Sequence, residues 1–322
     1  MPVSLVNPAN GLPLERRDLA LVDPEGNAFP IVRGVPRICE ASNYTENFGK
    51  QWNMFRGTQI DRREGGQTQS ETRFFGTTGW SPDEMAGLDV LEAGSGAGRF
   101  SRVVLECTKA NLWTVDYSSA VEANLANNGS LDPARFNIFQ ASIYEMPFPD
   151  GSFDKIFCMG VLQHTPDFEA SVRALVAKAK SGGEIVVDFY PVRGFWTKIH
   201  AKYLLRPLTR RMSHDRLLRL IDSNVDWMMR LNRRLSAMHL GILNRFIPLV
   251  DMHAAVPEGL SAEQRREWAV LDTFDMFSPE YDNPQRVPAV AEMFRRAGAK
   301  VTFADFIQIG SARSAVVRAI KA

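Results

Sequence analysis

Residues 89–100 read Asp-Val-Leu-Glu-Ala-Gly-Ser-Gly-Ala-Gly-Arg-Phe, and they are the most informative part of the sequence about its fold. The apolar run 88–93 predicts a short strand, and apolar residues at helical spacing from Phe100 to Cys107 predict a helix. Between them, Gly94, Gly96 and Gly98 remove side chains, so the backbone can approach a ligand. The helix that follows offers free N–H groups. The stretch therefore predicts a ligand-binding turn.

The pattern on the carboxyl side alternates between strands and helices. Thr165-Pro166 is typical of a helix start, and Gly182-Gly183 is typical of a helix end. Alternating strands and helices indicate a parallel sheet covered on both faces, with ligands beyond the carboxyl ends of its strands. The predicted strands are 111–116, 136–141, 155–159 and 184–190, and near the end of the chain a helix over 287–297 precedes strands near 300–306 and 315–319.

An acidic residue narrows the class of ligand expected at the glycine turn. Asp116 ends the predicted strand that follows the glycine turn, 22 residues after Gly94. At this place a carboxylate can accept both ribose hydroxyls of an adenosine. The glycine spacing is G-x-G-x-G, whereas dinucleotide enzymes use G-x-G-x-x-G. An adenosine-containing ligand is therefore expected, and a nicotinamide-dependent oxidoreductase is the disfavoured alternative.

Composition limits the class of protein. The 322 residues carry a formal charge of +1, with 45% apolar and 23% charged residues. Such a chain can bury a hydrophobic core, which argues against a disordered or fibrous protein. Its near-zero net charge gives no reason to expect a nucleic-acid-binding protein. Three scattered cysteines make a reduced, cytoplasmic protein the default. No run of 18 apolar residues predicts a membrane span, and the prolines and charges near the N-terminus do not resemble a secretory signal.

Four motifs stand in order along the chain. Their sequence resembles that of the class I S-adenosylmethionine-dependent methyltransferases, closely over Leu88 to Tyr190 and loosely over the terminal strands. The resemblance implies an α/β fold with a Rossmann-like seven-stranded sheet, and S-adenosyl-L-methionine as the cofactor. The motifs are Glu92-Ala-Gly-Ser-Gly-Ala-Gly98, Val115-Asp-Tyr-Ser118, Met146-Pro-Phe-Pro-Asp-Gly-Ser-Phe-Asp154 and Gly160-Val-Leu-Gln-His-Thr-Pro166.

The resemblance also implies roles for individual residues. Glu92 and the nearby backbone would hold the methionine amino group, Asp116 the ribose and Tyr117 the adenine. Where the family usually has an acidic residue for the adenine amino group, this chain has Ser142, which predicts a weaker adenine anchor. Arg73 is expected either to pair with the cofactor carboxylate or to form an exposed salt bridge. The expected cofactor-binding set is Glu92, Ala93, Gly94, Gly96, Asp116, Tyr117, Ser142, Ile143, Gly160 and Arg73.

His164 is the candidate catalytic residue. Methyl transfer from a sulfonium depends mainly on aligning acceptor, methyl and sulfur. A thiol, amine or carboxylate acceptor needs no base, whereas an alcohol benefits from one. His164 follows the fourth strand, and an imidazole with a pKa of about 6.5 suits proton abstraction. The alternative is that His164 only caps the loop and shapes the pocket.

Two segments precede the strand–helix alternation. Residues 1–42 are predicted to form a small β appendage, and the aromatic-rich residues 43–86 a helical cap. Both resemble the N-terminal region of bacterial relatives in which a zinc-ribbon-like domain precedes the cap. This chain lacks the cysteine pairs and offers only Cys39, so no zinc or other metal is expected.

Residues 191–270 interrupt the alternation and are predicted to form a helical insertion, after which 271–322 complete the sheet. Residues 191–250 hold 12 Lys and Arg against three Asp, a net charge of +9. Four roles compete: a lid over an anionic substrate, a contact with the inner membrane face near a lipid-linked acceptor, a homodimer interface, and a solvated helical subdomain. A small molecule or glycan precursor is the expected acceptor, and a regulatory protein that binds the cofactor without transfer is a further alternative. The residues expected to line the acceptor pocket are Tyr190, Trp196, Tyr203 and Tyr281.

Overall fold

The computed structural model describes residues 3–40, 43–61, 68–192, 194, 199–253, 255–257, 259–310 and 312–322. The chain divides into two compact units. The first comprises Met1–Pro191, Tyr281–Ile307 and Ser314–Ala322, and the second comprises Val192–Glu280 and Gln308–Arg313.

Strands form two sheets in the first unit. A four-stranded antiparallel sheet has the order β1-β2-β3-β4, and a seven-stranded sheet has the order β10-β11-β9-β8-β5-β6-β7. The strands are β1 Glu15–Arg17, β2 Ala20–Val22, β3 Ala28–Val32, β4 Val35–Pro36, β5 Asp89–Ala93, β6 Asn111–Asp116, β7 Phe136–Gln140, β8 Phe153–Met159, β9 Ala179–Phe189, β10 Ala299–Ile309 and β11 Ala312–Lys321.

Helices connect these strands and make up most of the second unit. Short 3₁₀ segments at Asp83–Met85, Leu162–His164 and Gly241–Phe246 supplement them. The α-helices are α1 Glu46–Met54, α2 Gln69–Thr78, α3 Arg99–Cys107, α4 Val121–Asn128, α5 Phe168–Lys178, α6 Ala201–Thr209, α7 His214–Ala237, α8 Ala262–Phe277 and α9 Val287–Arg296.

The large sheet confirms the predicted α/β class and the Rossmann-like seven-stranded arrangement. β5 lies in its interior and pairs in parallel with β6 and β8, and β9 extends the parallel set. β11 joins β9 in the antiparallel direction. Strands of this set, such as β8, are apolar on both faces because helices cover both sides. The carboxyl ends of β5, β6, β8 and β9 therefore meet at one edge.

The small sheet is organised around a buried carboxylate. Asp23 is 1% exposed and accepts hydrogen bonds from the side-chain amides of Asn7, Asn10 and Asn27 at 2.8, 2.9 and 2.8 Å. The backbone N–H groups of Glu25 and Asn27 add two more. Burial alone would raise the pKa of Asp23, but these hydrogen bonds outweigh it and hold the pKa well below its usual range. A hydrogen-bonded polar centre therefore closes this sheet.

Two predicted helix boundaries were wrong. α5 begins at Phe168, not at Pro166, because the carboxylate of Asp167 accepts a hydrogen bond from the N–H of Ala170 at 2.9 Å and so caps the helix. Its end lies at Lys178, and Gly182-Gly183 belong to β9. The pairing of β8 with β9 is irregular between Phe153 and Lys155, which accommodates two glycines inside a strand.

The second unit consists mainly of α6, α7, α8 and a 3₁₀ segment. The buried face of α7 consists of Leu217, Ile221, Val225 and Met228, at helical spacing. α7 packs against α8 and against the 3₁₀ segment Gly241–Phe246. None of the helices among the described residues is long and apolar enough to cross a membrane.

Candidate functional site

The glycine turn requires glycine for steric reasons. Gly94, Gly96 and Gly98 have φ values of +83°, +51° and +84°, which L side chains rarely adopt. A Cβ on Gly94 would lie 2.4 Å from Val161 Cγ2, and one on Gly98 would lie 2.1 Å from Asn124 Oδ1. The turn therefore packs tightly against the segment after β8 and against α4.

Asp116 connects this turn to the end of β6. Its Oδ2 accepts the N–H of Gly96 at 2.8 Å, and its Oδ1 accepts the N–H and hydroxyl of Ser118 at 2.8 and 2.6 Å. Burial raises the pKa of Asp116, although the hydrogen bonds from Ser118 and Gly96 act in the opposite direction. A carboxylate has about four lone-pair sites, so these three hydrogen bonds leave one site, on Oδ2, for a ribose hydroxyl.

Glu92 contacts the helix after the turn. Its carboxyl is 2% exposed, accepts a hydrogen bond from the Ser101 hydroxyl, and lies close enough to Thr114 to interact with it. Asn124 of α4 donates to the same Ser101 hydroxyl at 2.9 Å. Burial raises the pKa of Glu92 to about 8, so the carboxyl is mostly protonated at neutral pH. Its predicted contact with the methionine amino group stays a prediction.

The structure brings Arg73 to a residue that the sequence analysis missed. Arg73 Nη2 lies 2.7 Å from Asp188 Oδ2, and the Asp188 side chain is 3% exposed. The other oxygen, Oδ1, accepts the N–H of Gly160. Arg73 therefore forms an ion pair within the protein. A salt bridge was one of the two alternatives expected for this residue, but its partner is buried, whereas an exposed salt bridge was expected. An acidic residue inside the apolar second half of β9, residues 185–189, is the signal that could have identified Asp188.

Tyrosine rings lie beside the end of β6. The Tyr117 ring centroid is 5.4 Å from that of Tyr44 in the cap, and the Tyr44 centroid is 5.2 Å from that of Tyr281 in an edge-to-face contact. Tyr117 is half-buried, and burial raises its pKa. The structure thus places the predicted adenine contact Tyr117 and the predicted acceptor contact Tyr281 in one aromatic row.

His164 is fixed by three neighbours. Its ring lies between Phe48 of α1 and Tyr190, with ring-centroid distances of 5.1 and 5.5 Å. Its Nδ1 lies 3.1 Å from the carbonyl oxygen of Tyr281. Because a carbonyl only accepts hydrogen bonds, Nδ1 carries a proton, and the basic nitrogen of the neutral ring is Nε2. The structure therefore joins three predicted site residues, His164, Tyr190 and Tyr281.

The other residues predicted for the site lie in different surroundings. Ser142 is 6% exposed, and its hydroxyl accepts the N–H of Tyr144 at 3.2 Å; Ile143 and Ala93 belong to the core. A Cβ on Gly160 would meet only open space. Tyr203 lies on α6 in the second unit, and Trp196 lies outside the described residues.

Polar side chains near the turn were also missed. Gln51 on α1 and Gln163 after β8 are 2% and 0% exposed, and neither side-chain amide has a hydrogen-bond partner among the described residues. The buried Ser95 hydroxyl in the turn also has no hydrogen-bond partner among the described residues. The indole of Trp52, adjacent to Gln51, borders Gly96. Because buried polar groups are normally hydrogen-bonded, these three side chains are candidates for contacting a bound ligand.

The carboxyl edge of the sheet thus combines a glycine turn, a carboxylate that bridges it to β6, and a buried imidazole. Residues 91–187, which contain all three, match the family model of the methyltransferase domain. This segment is a methyltransferase domain. The match confirms the resemblance to S-adenosylmethionine-dependent methyltransferases that the four motifs carry.

Relatives of this methyltransferase domain differ in their acceptors. A tRNA U34 carboxymethyltransferase of Nautilia profundicola is 30% identical over 108 residues, which cover 33% of this chain and 35% of the relative. A ubiquinone biosynthesis O-methyltransferase of Nitrosospira multiformis is 30% identical over 138 residues, covering 41% and 56%. The chain therefore spans about a third to somewhat over half of the length of these relatives.

Among solved structures, the magnesium protoporphyrin IX methyltransferase of Synechocystis with bound S-adenosylhomocysteine has a TM-score of 0.46. It is 14% identical, with coverage of 87% of this chain and 97% of the other. In the parts of the chain that the structure describes, no group of three or more His, Cys, Asp or Glu residues is arranged to hold a metal ion.

Proposed function

We propose that this chain is an S-adenosylmethionine-dependent methyltransferase that acts on a hydroxyl of a small molecule or of a glycan- or lipid-linked precursor. The single observation that carries the proposal is the bond from the Gly96 N–H to Asp116 Oδ2, which unites the glycine turn and the ribose carboxylate at adjacent parallel strands. The methyltransferase domain match to residues 91–187 supports it.

The residues at this edge fit S-adenosylmethionine. Asp116 would accept one ribose hydroxyl on Oδ2, and a second one once the Ser118 hydroxyl turns away from Oδ1. The backbone of Gly94 and Gly96 would approach the ligand without side chains between them. The buried amide of Gln51 and the hydroxyl of Ser95 offer hydrogen bonds that no described protein group takes. Bound cofactor supplies a methyl group on an already activated sulfonium.

His164 would act on the acceptor. The Tyr281 carbonyl fixes the tautomer in which Nε2 is basic, and the flanking rings of Phe48 and Tyr190 fix the plane of the imidazole. A base held in this way can take the proton of an alcohol as its oxygen attacks the methyl group. An acceptor that attacks without giving up a proton to a base, such as a carboxylate, would leave His164 only a positioning role.

Binding measurements on the full chain test the cofactor. Isothermal titration calorimetry should show binding of S-adenosylmethionine and none of NAD. Asp116→Ala should weaken binding about 10- to 100-fold, because hydrogen bonds to a charged group contribute about 1.5–3 kcal/mol. Asp305→Ala, at an exposed aspartate of β10, is the matched control and should bind as the wild type does. Preferential binding of NAD would establish the oxidoreductase alternative.

An acceptor screen tests the reaction. Panels of phenols, glycans and lipid-linked precursors are incubated with S-adenosylmethionine, and released S-adenosylhomocysteine is measured. A hydroxyl-bearing acceptor should give turnover, with the rings of Tyr190 and Tyr281 contributing to its site. The named relatives act on tRNA in one case and in ubiquinone biosynthesis in another, so a tRNA panel belongs in the screen. Cofactor binding without any turnover would favour the regulatory alternative.

A further inference from the structure

The second unit carries an unusual number of exposed apolar side chains. Ten of the fifteen large apolar side chains that are exposed among the described residues fall between 204 and 246. Ile242 and Met238, for example, are 69% and 65% exposed. Single exposed apolar residues are ordinary, but a concentration of them on neighbouring elements is typical of an interaction surface.

On α7 these residues form a stripe. Leu220, Trp227 and Leu231 are 51%, 44% and 38% exposed, and their spacing of seven and four residues places them on one helix face. The 3₁₀ segment Gly241–Phe246 packs against α7 and adds exposed Ile242, Leu243 and Phe246. We call these six residues the apolar stripe.

Arginines flank the apolar stripe. Arg216 precedes Leu220 by four residues, Arg230 follows Trp227 by three, and Arg234 follows Leu231 by three, so all three lie beside the stripe on the exposed side of α7. The acidic residues in the middle of α7 neutralise these arginines only in part, because Asp222 and Asp226 share Arg266 of α8, at 2.9 and 3.1 Å, and the three groups together leave a single negative charge.

The surface therefore combines exposed apolar side chains with an excess of positive charge, and residues 191–250 as a whole carry +9. We propose that the apolar stripe and its flanking arginines dock this protein onto the surface of an anionic phospholipid bilayer. Charge complementarity decides between the two occupants that an apolar face could have. A second copy would bring the same arginines against one another, whereas anionic headgroups would pair with them. Trp227 suits the boundary between headgroups and acyl chains, since an indole is apolar with a polar N–H.

Vesicle co-sedimentation of the full chain tests this proposal. The vesicles are pure phosphatidylcholine or equal parts of phosphatidylcholine and phosphatidylglycerol. We expect binding to the second kind only, and release at about 1 M salt, where the Debye length falls to about 3 Å.

Two triple variants separate the charge from the apolar stripe. The first variant combines Arg216→Gln, Arg230→Gln and Arg234→Gln. It should lower the vesicle partition coefficient on the order of 100-fold, because each basic residue near an anionic surface contributes about 1 kcal/mol. Leu220→Ser, Trp227→Ser and Ile242→Ser together should lower it at least about tenfold. Each variant has a matched control at exposed positions elsewhere in the chain. The charge control combines Arg17→Gln, Arg295→Gln and Arg296→Gln, and the apolar control combines Leu19→Ser, Met54→Ser and Leu131→Ser. Both controls should bind vesicles as the wild type does.

The outcomes that overturn the proposal are also distinct. Equal binding to both kinds of vesicle would remove the role of charge, and no binding at low salt would remove the membrane altogether. A dimer detected by light scattering that the serine variant abolishes, without vesicle binding, would assign the stripe to self-association. Circular dichroism shows whether each variant folds, and S-adenosylmethionine affinity, measured separately, keeps this test independent of the proposed function.

Discussion

The Nδ1 atom of His164, just beyond β8, lies 3.1 Å from the carbonyl oxygen of Tyr281. These two residues are 117 positions apart in the chain. The contact fixes which imidazole nitrogen is basic, and it links the loop after the fourth strand of the domain to the segment that follows the helical insertion. A general base needs this kind of orientation, since proton transfer depends on geometry before pKa.

Replacing His164 should separate catalysis from positioning. His164→Ala should lower kcat about 10²- to 10⁴-fold for a hydroxyl acceptor, with little change in S-adenosylmethionine affinity. His164→Asn keeps an N–H group that can donate to the Tyr281 carbonyl but has no basic nitrogen, so it should be as slow as His164→Ala. Released S-adenosylhomocysteine gives the rate, with exposed His239→Ala as the control. Near-normal turnover of His164→Asn would reduce His164 to a positioning residue.

The stability of the protein should depend on the protonation of Glu92. The folded state raises the pKa of Glu92 to about 8 through burial, against about 4.3 when unfolded. The stabilisation from the neutral carboxyl is therefore complete below about pH 4.3 and is lost as the pH rises through about 8. Between about pH 5 and 7.5, the free energy of unfolding of the wild type should fall relative to Glu92→Gln by about 1.4 kcal/mol per pH unit.

Urea unfolding of the wild type and of Glu92→Gln across this range provides the measurement. Glu263→Gln, at an exposed position, should follow the wild type throughout. Parallel curves for the wild type and Glu92→Gln would show that Glu92 is ionised in the folded protein.

The ion pair of Arg73 with Asp188 should act as a unit. Asp188→Ala leaves the guanidinium without its buried partner and the Gly160 N–H without its acceptor, so we expect a loss of about 2–3 kcal/mol in unfolding free energy. Arg73→Met should cost at least as much, because it leaves the buried Asp188 carboxylate, 3% exposed, without its charge partner. In a double-mutant cycle, the two changes together should cost about 1–2 kcal/mol less than their sum. Additive losses would mean that the pair is not coupled.

Gly94 should not tolerate a methyl group. Gly94→Ala forces a non-glycine residue to φ +83° and places Cβ 2.4 Å from Val161 Cγ2, so a loss of about 2–3 kcal/mol in stability is expected. Adding Val161→Ala should recover part of it. Gly182→Ala is the matched control, since Gly182 also has a positive φ of +77° but nothing within 4 Å of a Cβ; it should lose only about 1 kcal/mol. Thermal unfolding compares the four proteins, and equal losses at the two glycines would exclude the clash.

The sequence predicted those parts of the site that local patterns encode. The order of β5, the glycine turn, α3 and β6 follows from apolar periodicity and glycine spacing, and Asp116 was identified from its distance to the turn. Asp188, Gln51 and Gln163 were missed, because their roles depend on partners or burial that only the folded chain creates. The same limit applies to the tautomer of His164, which depends on a carbonyl contributed by a distant segment.

Helix boundaries were harder to predict because several residues compete for each one. Thr165, Pro166 and Asp167 all suit the start of α5, and the carboxylate of Asp167 is the side chain that reaches the N–H of Ala170. Gly182-Gly183 favours a turn in isolation, but β9 pairs with β8 on both sides of these glycines, at Ala179 and from Glu184 onward. A local capping bond therefore decides the first boundary, and tertiary pairing outweighs local propensity at the second.

The position of Trp52 gives the cap a practical use. Its indole borders Gly96, the glycine whose N–H reaches Asp116. A fluorophore therefore lies next to the turn where the cofactor is expected, so ligand entry changes the surroundings of an intrinsic optical reporter. Comparing the emission of the wild type with that of Trp52→Phe isolates its signal from the other five tryptophans, and binding kinetics become measurable without a chemical label.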